Sequence, residues 1–200
     1  ETIANGLTSK IDAQRQIKVY TSAPTDIIVD ILGYFVPTGQ AQPDPPGGRF
    51  TPMTPVRVYE AALDPSGLLA AGQSKLVSVT TTQDGLTPVV PVDASAVAYN
   101  LTVIDPSSPG HLRVMPGDVS SSSASAINWA TRGDRVANGL TVKLDASGQM
   151  RVYNAASAPV RFLIDVVGYY SNSGKLFYPI VQARVSDSRP EAGGAGPIGF

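Results

Sequence analysis

The chain has 200 residues, enough for one large or two small domains. Hydrophobic residues make up 42%, so a core can form, while charged residues, at 16%, fall below the ~25% usual for globular proteins. Lys and Arg (15) nearly balance Asp and Glu (16), cysteine is absent and His111 is the one histidine, which argues against a nucleic-acid-binding surface and excludes disulfides, thiolate metal sites, a Cys nucleophile and a multi-histidine zinc site.

In chain order, Arg57 to Tyr59 begins a strand, and a short helical turn is expected near Leu68 to Ala71. Leu76 to Thr81 alternates as a strand. Ala96 to Ile104 follows with Val97, Tyr99, Leu101 and Val103 on one face, the period-two pattern of a half-buried strand. Asp105 to Gly110, rich in Pro, Ser and Gly, cannot continue a ladder. His111 to Met115 is the next strand, Ser120 to Ser123 a polar loop, and Ala126 to Ala130 a strand that carries Trp129. Val136 to Leu144 and Met150 to Tyr153 form a hairpin around Asp145-Ala146-Ser147-Gly148, where Gly148 can take a positive φ. Phe162 to Tyr169 is the last strand of the unit. No stretch shows a helical stripe with caps, and none approaches the ~18–20 apolar residues of a membrane span.

The chain aligns with itself. Ile3 to Phe35 repeats as Val136 to Tyr170, placing Asn5 on Asn138 and Asp30 on Asp165. Phe50 to Glu60 repeats as Phe177 to Asp187, placing Arg57 on Arg184. The expected organisation is therefore the C-terminal part of one repeat (1–39), a Pro/Gly linker (40–48), a complete repeat (49–172) and the N-terminal part of a further repeat (173–200). The abrupt start at Glu1 and the loop-like end (Glu191 to Phe200) predict a processed or excerpted product. A weaker echo inside the complete repeat sets Asn100 to Val114 against Asn138 to Val152, the mark of a duplicated strand–turn–strand unit.

Eight or nine short, evenly spaced strands per repeat predict an all-β antiparallel sandwich with little helix. The alternative, suggested by the echo, is a three-lobed, β-trefoil-like barrel.

Three motifs resemble a repeated module of secreted and surface proteins of actinobacteria and related bacteria. They are the starts Phe50 to Glu60 and Phe177 to Asp187, the centre Asn100 to Val114, and the close Ala137 to Tyr170. The Asp-x-x-Gly-Tyr of Asp30 to Tyr34 and Asp165 to Tyr169 is the most specific part. Tyr59-Glu60 departs from the acidic-Ser-Arg turn that stands as Asp187-Ser188-Arg189. The resemblance implies an extracellular β-module without an established catalytic role.

Candidate ligand or packing positions are Trp129, Tyr99, Tyr153 and Tyr169, as core aromatics or a sugar-stacking strip, and Asn100, Asn138 and Asp165, as backbone-capping groups or polar contacts to a glycan. Arg57, Arg113, Arg151 and Arg184, each before a Val, are expected to pair with Asp30, Asp165 or Asp187 across a sheet. His111 has no nucleophile or orienting group beside it in sequence, so no enzyme and no cofactor is expected, and the scattered acidic loops at Asp84, Asp105 and Asp118 match no metal-binding run. The expected function is an extracellular structural or adhesive protein that self-associates with identical subunits or adjacent repeats, with strand complementation between partial repeats building a fibre or surface layer. The alternative is a polysaccharide- or cell-wall-binding accessory module.

Overall fold

The computed structural model describes residues 6–37, 49–122 and 125–196. Among these residues ten strands carry the architecture: β1 Ile28–Pro37, β2 Arg49–Glu60, β3 Ser74–Ser78, β4 Ala96–Ile104, β5 Gly110–Pro116, β6 Ile127–Trp129, β7 Arg135–Lys143, β8 Gln149–Asn154, β9 Arg161–Ser171 and β10 Lys175–Asp187. They form two antiparallel sheets, ordered β1-β10-β2-β9-β4-β7 and β3-β8-β5-β6. The alternating face of β4 (Val97, Tyr99, Leu101, Val103) is buried, and so are Phe162, Ile164 and Val166 of β9. Leu112 of β5 and Met150 and Val152 of β8 close the same core from the four-stranded sheet. The result is a sandwich, as the strand pattern predicts.

The described residues form no closed barrel, and the topology shows why the echo does not make three lobes. Each echoed unit, β4–β5 and β7–β8, sends its first strand to the six-stranded sheet and its second to the four-stranded sheet. The two units then pair with each other. Val114 lies opposite Val152, its counterpart in the echo, and Asn100 opposite Gly139. The duplication therefore folds about a local two-fold relationship that joins both sheets.

Among the described residues, helix is confined to 3-10 turns at Ala61–Leu63 and Pro190–Ala192. The helical turn expected at Leu68 to Ala71 is absent. Leu69 instead exchanges two backbone hydrogen bonds with Val160, N to O distances 3.0 and 2.9 Å, and a bridge between the two loops takes its place.

β2 runs further than the sequence suggests. It begins at Arg49 although Pro52 and Pro55 each remove an amide donor, and its register with β9 slips between Pro52 and Val56. Arg49, the first residue of β2, pairs with Ser171, the last of β9. The chain thus enters and leaves the complete repeat at one point of one sheet.

Candidate functional site

Two strand pairs in the six-stranded sheet are built alike. In β2·β9, Phe50 lies opposite Tyr170, Thr51 opposite Tyr169, Pro52 opposite Gly168 and Arg57 opposite Asp165. In β1·β10, Phe177 lies opposite Phe35, Tyr178 opposite Tyr34, Pro179 opposite Gly33 and Arg184 opposite Asp30. Position by position, these are the same pairs of repeat residues. The last strand of the N-terminal partial repeat pairs with the first strand of the C-terminal partial repeat in the register that a complete repeat uses internally.

The seam between the two pairs is narrow. β10 meets β2 in register only at Lys175 and Phe50. Phe50 is fully buried there, with Phe35 at 4.5 Å between ring centroids on one side and Tyr170 at 5.0 Å on the other. Such tilted aromatic pairs add to the area they bury.

On the outer face of β2·β9, the Arg57 guanidinium grips Asp165 with two hydrogen bonds, Nε to Oδ1 at 2.9 Å and Nη2 to Oδ2 at 3.2 Å. Its Nη1 donates to Glu60 Oε2 at 2.9 Å. The bond to Asp165, followed by that to Glu60, raises the Arg57 pKa against the opposing effect of burial, so the guanidinium is a permanent cation. Asp165 was expected to accept backbone amides or to pair with an arginine; it takes the arginine.

No protein-family model and no curated protein matches the chain. The placement of each residue therefore rests on geometry alone.

The singled-out residues do not converge on one surface. Trp129 is buried, and its Nε1 donates to the Ser108 carbonyl at 2.6 Å. Tyr99 is buried in the core, where desolvation pushes its hydroxyl pKa up. Tyr169 is half-buried against that core from β9. Tyr153 is half-buried on β8, with the Arg113 guanidinium 5.6 Å over its ring. Asn100 donates to Thr102 Oγ1 at 3.2 Å, and Asn138 donates to the Ala126 carbonyl at 2.9 Å. Asn138 pairs with Leu101, not with Asn100, so the two asparagines sit on opposite faces and form no ladder. Asn5 lies outside the described residues.

Arg113 and Arg151 diverge from the expected carboxylate pairing, and the Arg184 side chain lies outside what the structure describes. Arg113 donates to His111 Nε2 at 3.2 Å and to the Ser122 carbonyl at 2.9 Å. Arg151 donates to the Gly117 carbonyl at 2.7 Å and to Ser74 Oγ at 3.2 Å. Asp187 pairs with Arg189 of its own turn at 2.8 Å. Among the described residues, no group of three or more His, Asp or Glu is placed to hold a metal ion, and no helix is long and apolar enough to cross a membrane.

Two polar centres were missed in the sequence. Asn154 is fully buried; its Nδ2 donates to the carbonyls of Leu69 (3.0 Å) and Ala158 (2.9 Å), and its Oδ1 accepts from Ala156 N at 2.9 Å. Asp64 accepts from Tyr59 Oη (2.8 Å), Ser66 N (2.9 Å) and Ser66 Oγ (2.6 Å) and pairs with Lys75. Burial pushes the Asp64 carboxyl up, but the bonds from Lys75, Ser66 and Tyr59 outweigh it and hold the group well below the usual carboxylate range. Both sites are satisfied by protein groups and hold loops against the sandwich.

Proposed function

We propose that this is an extracellular structural or adhesive tandem-repeat protein whose partial repeats join copies by strand complementation. The observation that carries the reading is the shared register of β1·β10 and β2·β9. A first strand and a last strand from different repeats pair in register with their Phe, Pro-Gly and Arg-Asp positions opposite one another, as within the complete repeat. Strands that pair in this way can do so between chains as well as within one, because unpaired edge amides and carbonyls demand a partner. The extracellular setting follows the resemblance to the repeated surface module of actinobacteria. The polysaccharide-binding alternative needs an exposed aromatic strip, and Trp129 and Tyr99 are buried; the structural reading is therefore preferred.

The test uses the absence of cysteine from the sequence. Tyr34 and Tyr178 lie opposite each other in β1·β10. Chains carrying Tyr34→Cys and chains carrying Tyr178→Cys are mixed, oxidised and sized over a concentration series, with negative-stain images of the unmodified chain. Mixed disulfide dimers and uniform polymers at high concentration support the reading. A chain that stays monomeric throughout, and cross-links only when both substitutions share one copy, overturns it.

A further inference from the structure

The segment that leads out of the complete repeat, Ser171-Asn172-Ser173-Gly174-Lys175, has the composition of a flexible linker. Its geometry is that of a locked corner. Ser171 pairs with Arg49 on one side of β2, and Lys175 pairs with Phe50 on the other. The segment therefore crosses the end of β2 over two strand spacings, about 9–10 Å. Four residue steps reach about 13–14 Å at full extension, so little slack is left.

The corner is also closely packed. Ser171 is buried, and its Oγ donates to the Ser173 carbonyl at 2.8 Å and accepts from Ser173 N at 3.2 Å. Gly174 takes φ 134°, and a Cβ there would stand 2.8 Å from the Phe50 carbonyl oxygen and 2.9 Å from that of Arg49. Both the backbone conformation and the approach of two carbonyls require glycine. Phe50 fastens the same corner, because its ring contacts both Phe35 of β1 and Tyr170 of β9. Phe35 and Tyr170 are one repeat position in the self-alignment, so a single first-strand phenylalanine holds the last strands of two repeats. The ring is fully buried although it stands at the end of its strand.

We propose that this corner is the interface between consecutive repeats, and that Gly174 and the Phe35, Phe50 and Tyr170 rings hold β10 in one orientation against the complete repeat. The partner it fits is the first strand of the next repeat, paired with a last strand that carries an aromatic residue at the Phe35 position. Two lobes joined by so small a seam would otherwise swing against each other. The orientation is a property of the joint, and it is the same whether β1 comes from this chain or from another copy. A strictly monomeric chain therefore leaves the proposal standing.

The test places spin labels at Leu76→Cys on β3 and Val185→Cys on β10, both exposed positions in a chain without cysteine. The labelled chain is diluted into unlabelled protein, so that pulsed EPR reads only distances within one chain. The parent chain should give one narrow distance distribution. Gly-Ser-Gly-Ser inserted between Asn172 and Ser173 should broaden it by more than about twofold, because the added residues behave as coil. Gly174→Ala should broaden it or move its centre, with the amide exchange of β4 unchanged. Equal widths for the parent and the insertion overturn the proposal, whether both are broad or both narrow. Gly174→Ala with the parent's distribution also overturns it, since the glycine is then not what fixes the corner. If Gly174→Ala unfolds the repeat, the parent and the insertion decide alone.

Discussion

Gly168 of β9 lies under the ring of Phe50 from β2, and the pairing depends on its having no side chain. A Cβ at Gly168 would stand 2.8 Å from the Thr51 carbonyl oxygen and closer still to the Phe50 ring. Backbone cannot yield as a flexible side chain can, so the glycine of the Asp-x-x-Gly-Tyr motif is a packing requirement. Its aspartate, Asp165, meets Arg57 on the same two strands. The motif thus reads as an instruction for pairing the last strand of a repeat with the first.

Gly168→Ala should destabilise the chain by about 1–3 kcal/mol, the usual cost of overpacking. Urea unfolding followed by fluorescence checks this. A change below about 0.5 kcal/mol, the range of an ordinary surface substitution, would show that Phe50 relaxes freely.

Arg57→Ala should cost at most about 1 kcal/mol, because the pair is partly solvated and salt screens it. The Arg57 side chain is 45% exposed. The measurement is the unfolding midpoint at low and high salt. A large loss that persists in high salt would mean that the arginine stem, and not its charge, holds the strands.

The Asp64 carboxyl has a folded-state pKa below its unfolded value of about 3.9. The unfolded chain therefore binds this proton first as pH falls, and stability from this group is full above about pH 4 and lost on further acidification toward the folded value. Asp64→Asn should be less stable at neutral pH and should show a shallower loss between about pH 4 and pH 2. Urea midpoints over a pH series decide it; parallel curves for the two proteins would remove Asp64 from the acid response.

Asn154→Ala strands the Ala158 carbonyl and the Ala156 amide, while the Leu69 carbonyl loses one donor and keeps the Val160 amide. Each stranded buried group costs about 1–3 kcal/mol. The loss should appear in calorimetry as a lower Tm and in amide exchange as faster exchange at Ala156. Unchanged exchange there would indicate that the loop has another anchor.

The parts legible in the sequence were those written as periodicity or repetition. Ala96 to Ile104 reads directly as β4 because its core face alternates without a break. The equivalence of β1·β10 and β2·β9 is latent in the self-alignment, since Asp30 and Arg184 match Asp165 and Arg57 one for one. Asn154 and Asp64 leave no such mark. Asn154 ends the alternating face of β8 as a polar residue whose acceptor at Leu69 is distant in sequence, and Asp64 lies in no strand. The Leu68 to Ala71 turn failed for the same reason: a nonlocal bridge to Val160 decides the backbone there. Trp129 and Tyr99 were legible as core aromatics, Tyr99 from its place on the apolar face of β4, and both are buried; which sheet closes over them is not written in the strand pattern.

The pairing of Arg49 with Ser171 has a mechanical meaning. Tension carried along the chain reaches the complete repeat at two neighbouring residues on adjacent antiparallel strands. It pulls them apart across their hydrogen bonds, so the ladder opens one rung at a time instead of sliding as a block. A string of such units would hang as lobes beside a load-bearing thread whose reach is set by the joints between them. Under load, β2 and β9 would peel apart from their Arg49–Ser171 end, and Phe50, one residue inside that end, would be the first large side chain to be drawn into water.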